Sequence, residues 1–192
     1  AAPAVETPAA GGTAVPAAAP TAGSEARSTV DEQRTTDKGA LRNFALKHWD
    51  HAAAAERATG VPARFILAQA ALESGWGKHE IRDANGLPSY NLFGIKAGAG
   101  WTGRTVEVVT TEYENGTAKK VVEKFRAYGN YGEAFRDWAR LIKSNPRYAP
   151  VLVQHDARGF AAGLQRAGYA TDPAYANKLA RTIEAMSALR LG

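Results

Sequence analysis

The chain has 192 residues, no cysteine and a formal net charge of +5. That length suits one domain with a real core plus a tail, and the absence of cysteine excludes a disulfide framework, a thiolate nucleophile and a cysteine-based zinc site. No apolar run approaches the roughly 18 residues of a membrane span, so membrane insertion is not expected.

Residues 1–24 are mostly Ala, Pro, Gly and Thr and hold four of the nine prolines. Without aromatic side chains they bury too little surface to offset their ordering entropy. Residues 1–36 therefore read as a flexible linker, and residues 37–192 as the folded domain. Such a linker implies a further domain before it. The only methionine is Met186, so a fragment or processed chain is expected, and the N-terminus lacks the basic-then-apolar layout of a secretory signal. The first 36 residues carry a balance of −2, which leaves +7 on the remainder. A basic domain is drawn to anionic polymers such as nucleic acid, anionic lipid or bacterial cell wall.

A first helix is expected from Asp37 to about Ala58, with Leu41, Phe44, Ala45, His48 and Ala52 at helical spacing. The next, Phe65–Glu73, is apolar almost all the way round; only Gln69 and Glu73 are polar. A helix without a polar face belongs in the middle of a domain. Pro62 suits its first turn, and Gly75 and Gly77 stop it. Residues 77–103 are glycine-rich and irregular. Two β-rich runs, 104–114 and 117–126, flank Asn115-Gly116, a strong hairpin signal because both central residues of a type I′ turn need positive φ. Helical spacing resumes at Ala134, Phe135, Trp138, Leu141 and Ile142 and ends near Asn145-Pro146. Another helix fits Asp156 to Ala167. The last runs from Asp172-Pro173 to about Leu189. The order is mainly α with a small β-hairpin, not alternating β/α.

Glu73 sits at the end of the buried helix, beside Trp76. The partial negative charge of a helix C-terminus and apolar surroundings both raise a carboxyl's proton affinity. A carboxylic acid kept protonated near neutral pH is what a glycosidase needs to protonate a leaving oxygen. On the hairpin, alternation puts Thr110, Glu112 and Glu114 on one face; either glutamate could face a cleft, though spacing alone favours a solvated strand. Asp137 could orient a substrate, hold the hairpin, or be an ordinary polar-face residue. Tyr169 lies in a turn between two helices, where functional residues concentrate, yet a core-edge tyrosine is the commoner fate. Trp76, Phe93 and Tyr128 could stack on sugar faces or pack in the core.

Other patterns carry less. The glycines of 98–103 precede a β-rich run, not the helix a dinucleotide site needs. His48, Asp50 and His51 share a helix, but no third ligand is apparent, so no metal site and no cofactor is expected. Lys119, Lys120, Lys124 and Arg126 flank the hairpin without a nucleic-acid-binding motif, so nucleic acid is not an expected partner.

Taken together, Ala71-Leu-Glu-Ser-Gly-Trp-Gly77, Asn91-Leu-Phe-Gly-Ile-Lys96, Thr111-Glu-Tyr-Glu-Asn-Gly116, Lys124-Phe-Arg-Ala-Tyr128 and Gly168-Tyr-Ala-Thr-Asp-Pro-Ala-Tyr175 resemble glycoside hydrolase family 73, over about residues 38–190 and in order. The resemblance implies a lysozyme-like α+β fold, with an α-lobe and a β-lobe flanking a glycan cleft. It implies hydrolysis of the β-1,4 bond between N-acetylglucosamine and N-acetylmuramic acid in peptidoglycan glycan strands. By that resemblance Glu73 matches the general acid and Glu112 the second carboxylate. Asp137 and Tyr169 match further active-site positions; Glu114 has no assigned role. The second step could retain, invert or use the substrate's acetamido oxygen. Other uses of the same fold are a non-catalytic peptidoglycan-binding module and a lytic transglycosylase. The match is narrowest to the family's flagellar members, which implies rod proteins as partners through a missing N-terminal domain, opening of the wall for rod assembly, and a periplasmic location.

Overall fold

A sequence with one helix apolar on every side can only fold by wrapping other helices around it. In the structure, a computed structural model, residues 26–114 and 117–191 are described, with side chains for 38–110 and 119–191. The central helix is α2 (Ala63–Ser74), with α1 (Ala26–Thr59) before it. Ala63, Phe65–Ala71 and Ser74 are all buried, and removing each large apolar side chain from water contributes about 1.5–3 kcal/mol. Pro62 is the N-cap of α2, one step before the first turn where it was expected, and its carbonyl accepts from the Phe65 and Ile66 amides. Gly75 ends the helix in the left-handed conformation (φ 55°, ψ 47°), and the Trp76 amide donates back to the Ala71 carbonyl at 2.7 Å.

Helix α1 begins at Ala26, upstream of the expected Asp37. No proline or glycine interrupts residues 26–38, and once the docked part of the helix has nucleated, each further residue adds a hydrogen bond. Residues 1–25 of the expected linker lie outside the described residues.

The hairpin is β1 (Thr105–Glu114) paired antiparallel with β2 (Thr117–Arg126). Glu114 faces Thr117, which leaves two residues between the strands, as the turn signal requires; Asn115-Gly116 themselves lie outside the described residues. Val106 and Phe125 are a buried cross-strand pair, whereas Val109 and Val122, the pair on the other face, are 63% and 62% exposed. One face therefore looks inward. Residues 91–97 fasten the hairpin to the helices. The Asn91 side chain donates to the Ile95 and Arg126 carbonyls (2.8 and 2.9 Å) and accepts from the Ile95 amide. The Arg126 and Ala97 amides donate to the carbonyls of Ile95 and Lys124.

Helix α3 (Tyr131–Ser144) follows, N-capped by Asn130, whose side chain accepts from the Glu133 amide. A 3-10 turn (Pro146–Tyr148) and a one-turn α4 (Ala149–Leu152), neither expected, carry the buried Tyr148 and Val151. Helix α5 (Ala157–Arg166) falls where a helix from Asp156 to Ala167 is expected, with Asp156 as its N-cap. Helix α6 (Tyr175–Ser187) starts later than Asp172. The Asp172 carboxylate instead accepts from the Ala174 amide and pairs with Lys178, so it caps the turn before the helix. Helices α1 and α6 pack on α2, α3 on α1, and α5 on α6. The result is an α-lobe with a two-stranded β-lobe, as the sequence indicates. No helix among the described residues is long and apolar enough to cross a membrane.

Candidate active site

The end of α2, the turn before α6 and the inner hairpin face enclose a cleft of about 350 Å³. Leu72, Glu73, Gly75 and His79 form its floor, Ala170, Asp172, Tyr175 and Lys178 one wall, and Val108, Thr110 and Phe125 the other. Most of this lining is apolar, and the one carboxyl on its floor belongs to Glu73. Its Oε1 is shielded from solvent and has no hydrogen-bond partner. Burial pushes the Glu73 carboxyl up from 4.5 to about 7, against a smaller opposing pull from the Tyr175 hydroxyl. It is therefore about half protonated at neutral pH and can give up a proton there. Gly94, at φ +61°, lets the chain pass beside it; a Cβ there would lie 3.8 Å from Glu73 Oε2.

Glu112 stands opposite Lys119 in the backbone register, and its side chain lies outside the described residues. The same strand supplies Val108 and Thr110 to the cleft wall, and alternation carries that face on to Glu112.

Asp137 is neither a cleft residue nor an ordinary polar-face residue. It is buried in α3, its Oδ2 accepting from Arg126 Nη1 at 2.9 Å and from the Tyr128 hydroxyl at 2.7 Å. The Arg126 Nε donates in turn to the Lys96 carbonyl. Asp137 thus ties the base of β2 and the 91–97 segment to the helical lobe. Tyr169 is buried behind the cleft, donating to the Phe93 carbonyl at 2.9 Å, with its ring stacked on Tyr175. Burial, then the nearby Glu73 charge, holds its hydroxyl well above its ordinary value.

The three aromatic candidates lie elsewhere. Phe93, 1% exposed, stacks on Trp138 at 5.5 Å and meets Phe135 edge-on, so it is core and not a sugar platform. Tyr128 is buried with its hydroxyl committed to Asp137. Trp76, at φ 64°, packs on the edge of the core. Sequence reasoning gave no role to Tyr175, Lys178 or His79, which do line the cleft. Tyr175 was visible only as the last residue of the Gly168–Tyr175 motif. Gln69, noted only as a polar position in an apolar helix, joins the Trp138 indole to Tyr175.

A carboxyl whose proton affinity is raised by burial, on the floor of a cleft between a helical lobe and a hairpin, suits the general acid of a glycoside hydrolase. Comparison with known proteins agrees. Residues 49–188 match the glucosaminidase family, described as mannosyl-glycoprotein endo-β-N-acetylglucosaminidase. The peptidoglycan hydrolase FlgJ of Escherichia coli strain K12 is 56% identical over 135 residues, which is 70% of this chain and 43% of that protein. The crystal structure of a peptidoglycan hydrolase mutant from Sphingomonas sp. A1 aligns with TM-score 0.70 and 56% identity, covering 74% of this chain and 92% of that one. A C-terminally truncated glycoside hydrolase domain of Salmonella typhimurium FlgJ aligns with TM-score 0.66 and 51% identity, covering 78% and 99%. The chain belongs to the glucosaminidase family. It spans about half the length of the curated relatives it matches.

Proposed function

We propose that this domain hydrolyses the β-1,4 bond between N-acetylglucosamine and N-acetylmuramic acid in peptidoglycan, with Glu73 as general acid. The observation that carries the reading is the buried, proton-retaining Glu73 carboxyl on the cleft floor. Its relatives are named for peptidoglycan hydrolysis. Glu73 protonates the glycosidic oxygen as the bond to the departing sugar breaks, and the apolar lining keeps that proton from exchanging with a solvated base. Glu112 supplies the second carboxylate, brought to the sugar as the hairpin closes on bound glycan. Asp137 and Tyr169 act behind the site: the first fixes the hairpin base, the second supports Tyr175. The +7 charge of residues 37–192 favours encounter with the acidic wall polymer.

The stretch before α1 would tether this domain to flagellar rod-assembly machinery, with the domain opening the wall locally in the periplasm. Support for that part comes from the relatives named FlgJ.

The test is a digest of purified peptidoglycan, borohydride-reduced and read by mass spectrometry. Reduced N-acetylglucosamine ends, absent with Glu73→Gln, are expected. Anhydro-muramic ends would make the domain a transglycosylase, and intact glycan with measurable binding would make it a wall-anchoring module.

A further inference from the structure

Gln69 is an anomaly in α2. It is fully buried in the stretch Phe65–Leu72, whose other residues are all apolar, and burying an amide costs free energy unless its hydrogen bonds are made. Both of its functional groups are used. The Trp138 Nε1–H, in α3, donates to Gln69 Oε1 at 3.0 Å, and Gln69 Nε2 donates to the Tyr175 hydroxyl, in α6, at 3.3 Å. Trp138 is fully buried and Tyr175 nearly so.

The direction of these bonds follows from chemistry. An indole N–H can only donate, so the amide oxygen must face Trp138 and the amide nitrogen must face Tyr175. The amide cannot flip without leaving two buried donors opposed. Gln69 therefore occupies a lone pair of the Tyr175 oxygen, and the hydroxyl hydrogen is left to point elsewhere. Glu73 lies one turn along α2 from Gln69 and lines the same cleft as Tyr175, and the pull of the Tyr175 hydroxyl lowers its proton affinity.

We infer that Trp138 and Gln69 are positioning residues that lock the Tyr175 hydroxyl as a donor to Glu73, fixing the orientation of the catalytic carboxyl. A hydroxyl free to rotate would donate to Glu73 only part of the time; one whose oxygen already accepts from a fixed amide donates continuously. The device deepens the proposed function and rests on Glu73 being its acid. It also leaves Oε1 without a partner, so the proton that is to be delivered is not shared with the protein.

Other charged or titratable groups face this carboxyl and act on every variant alike. Tyr169 lies behind it, His79 follows α2 at the cleft floor, and the Asp172–Lys178 pair, bonded at 2.7 Å, lines the far wall. The hairpin side presents Val108, Thr110 and Phe125, with Glu112 further along the same strand face.

The test is a carboxyl-carbon NMR titration of Glu73 in the glutamate-labelled domain, for wild type, Gln69→Met, Tyr175→Phe and the double variant, with the activity–pH profile in parallel. Methionine keeps the shape of Gln69 and removes both bonds. Tyr175→Phe is expected to raise the Glu73 midpoint by roughly half to one pH unit, the equivalent of one lost neutral hydrogen bond. Gln69→Met is expected to raise it by part of that, and the double variant no further than Tyr175→Phe alone. An unchanged midpoint in Tyr175→Phe overturns the inference, whether or not Gln69→Met folds. So does an additive shift in the double variant, because Gln69 would then act independently of Tyr175. Because the titration reads Glu73 directly, a shifted midpoint in a domain that cleaves no glycan would sink the proposed function and leave the positioning role standing.

Discussion

The Glu73 carboxyl makes a stability prediction that needs no substrate. Unfolded, the group has its ordinary value of 4.5; folded, burial holds it near 7. The folded state therefore binds the proton more tightly, and the wild-type domain loses stability as pH rises through this window. Below pH 4.5 the side chain is neutral in both states and resembles glutamine in shape and charge. Above pH 7 the folded domain carries a buried carboxylate. A shift from 4.5 to about 7 is worth about 3 kcal/mol when fully expressed, and about 2 kcal/mol at pH 6. Glu73→Gln removes this dependence. Its stability advantage over wild type should grow by about 3 kcal/mol between pH 4 and pH 8, a Tm gap widening by roughly 6–12 °C for a domain of this size. Paired thermal melts at constant ionic strength across that range measure it, and His48 and every other titrating group cancel in the difference. A gap that stays constant from pH 4 to pH 8 would show that the carboxyl is solvated when folded, and the argument for a protonated general acid would fall with it.

Four further outcomes are expected. The alkaline limb of kcat should fall through about pH 7, because Glu73 must be protonated to act; a rate flat to pH 9 would contradict this. Asp137→Ala, which removes the carboxylate shared by Arg126 and Tyr128, should cost about 3–5 kcal/mol in urea unfolding, as breaking a buried pair does, with Asp137→Asn recovering part of the loss. His48 is 1% exposed, and burial, then Lys47 and His51, lower it from 6.5 to about 4. Its contribution is present above pH 6.5 and lost as pH falls toward 4, so His48→Phe should flatten the acid side of the stability curve. Glu112→Gln should lower kcat severely in the peptidoglycan digest; unaltered turnover would remove Glu112 from the mechanism.

Much of the architecture was legible because it rests on local rules. The apolar run 65–72 forces a central helix wherever its neighbours come from. Asn115-Gly116 between two β-rich runs sets a two-residue connection and hence the register, down to Glu112 opposite Lys119. Asp156 caps α5 through its own side chain. Where expectation and structure part, a competing interaction won. Asp172 spends its carboxylate on the Ala174 amide and Lys178, so α6 starts later. Phe93 has the residue type of a sugar platform but is claimed by Trp138 and Phe135.

What the sequence determined by itself was the order of elements, the hairpin and a carboxylate at the end of a buried helix, because these depend on residues close together in the chain. What only the tertiary structure decided was which distant groups meet that carboxylate. Gln69, Trp138 and Tyr175 lie on three different helices and come together only when α3 and α6 are positioned around α2. Asp137 reads as a surface charge until Arg126 and Tyr128 reach it from β2 and the residues just beyond. Periodicity specifies which face of an element is buried, and packing between elements specifies against whom. The proton affinity of Glu73 belongs to the second kind of information.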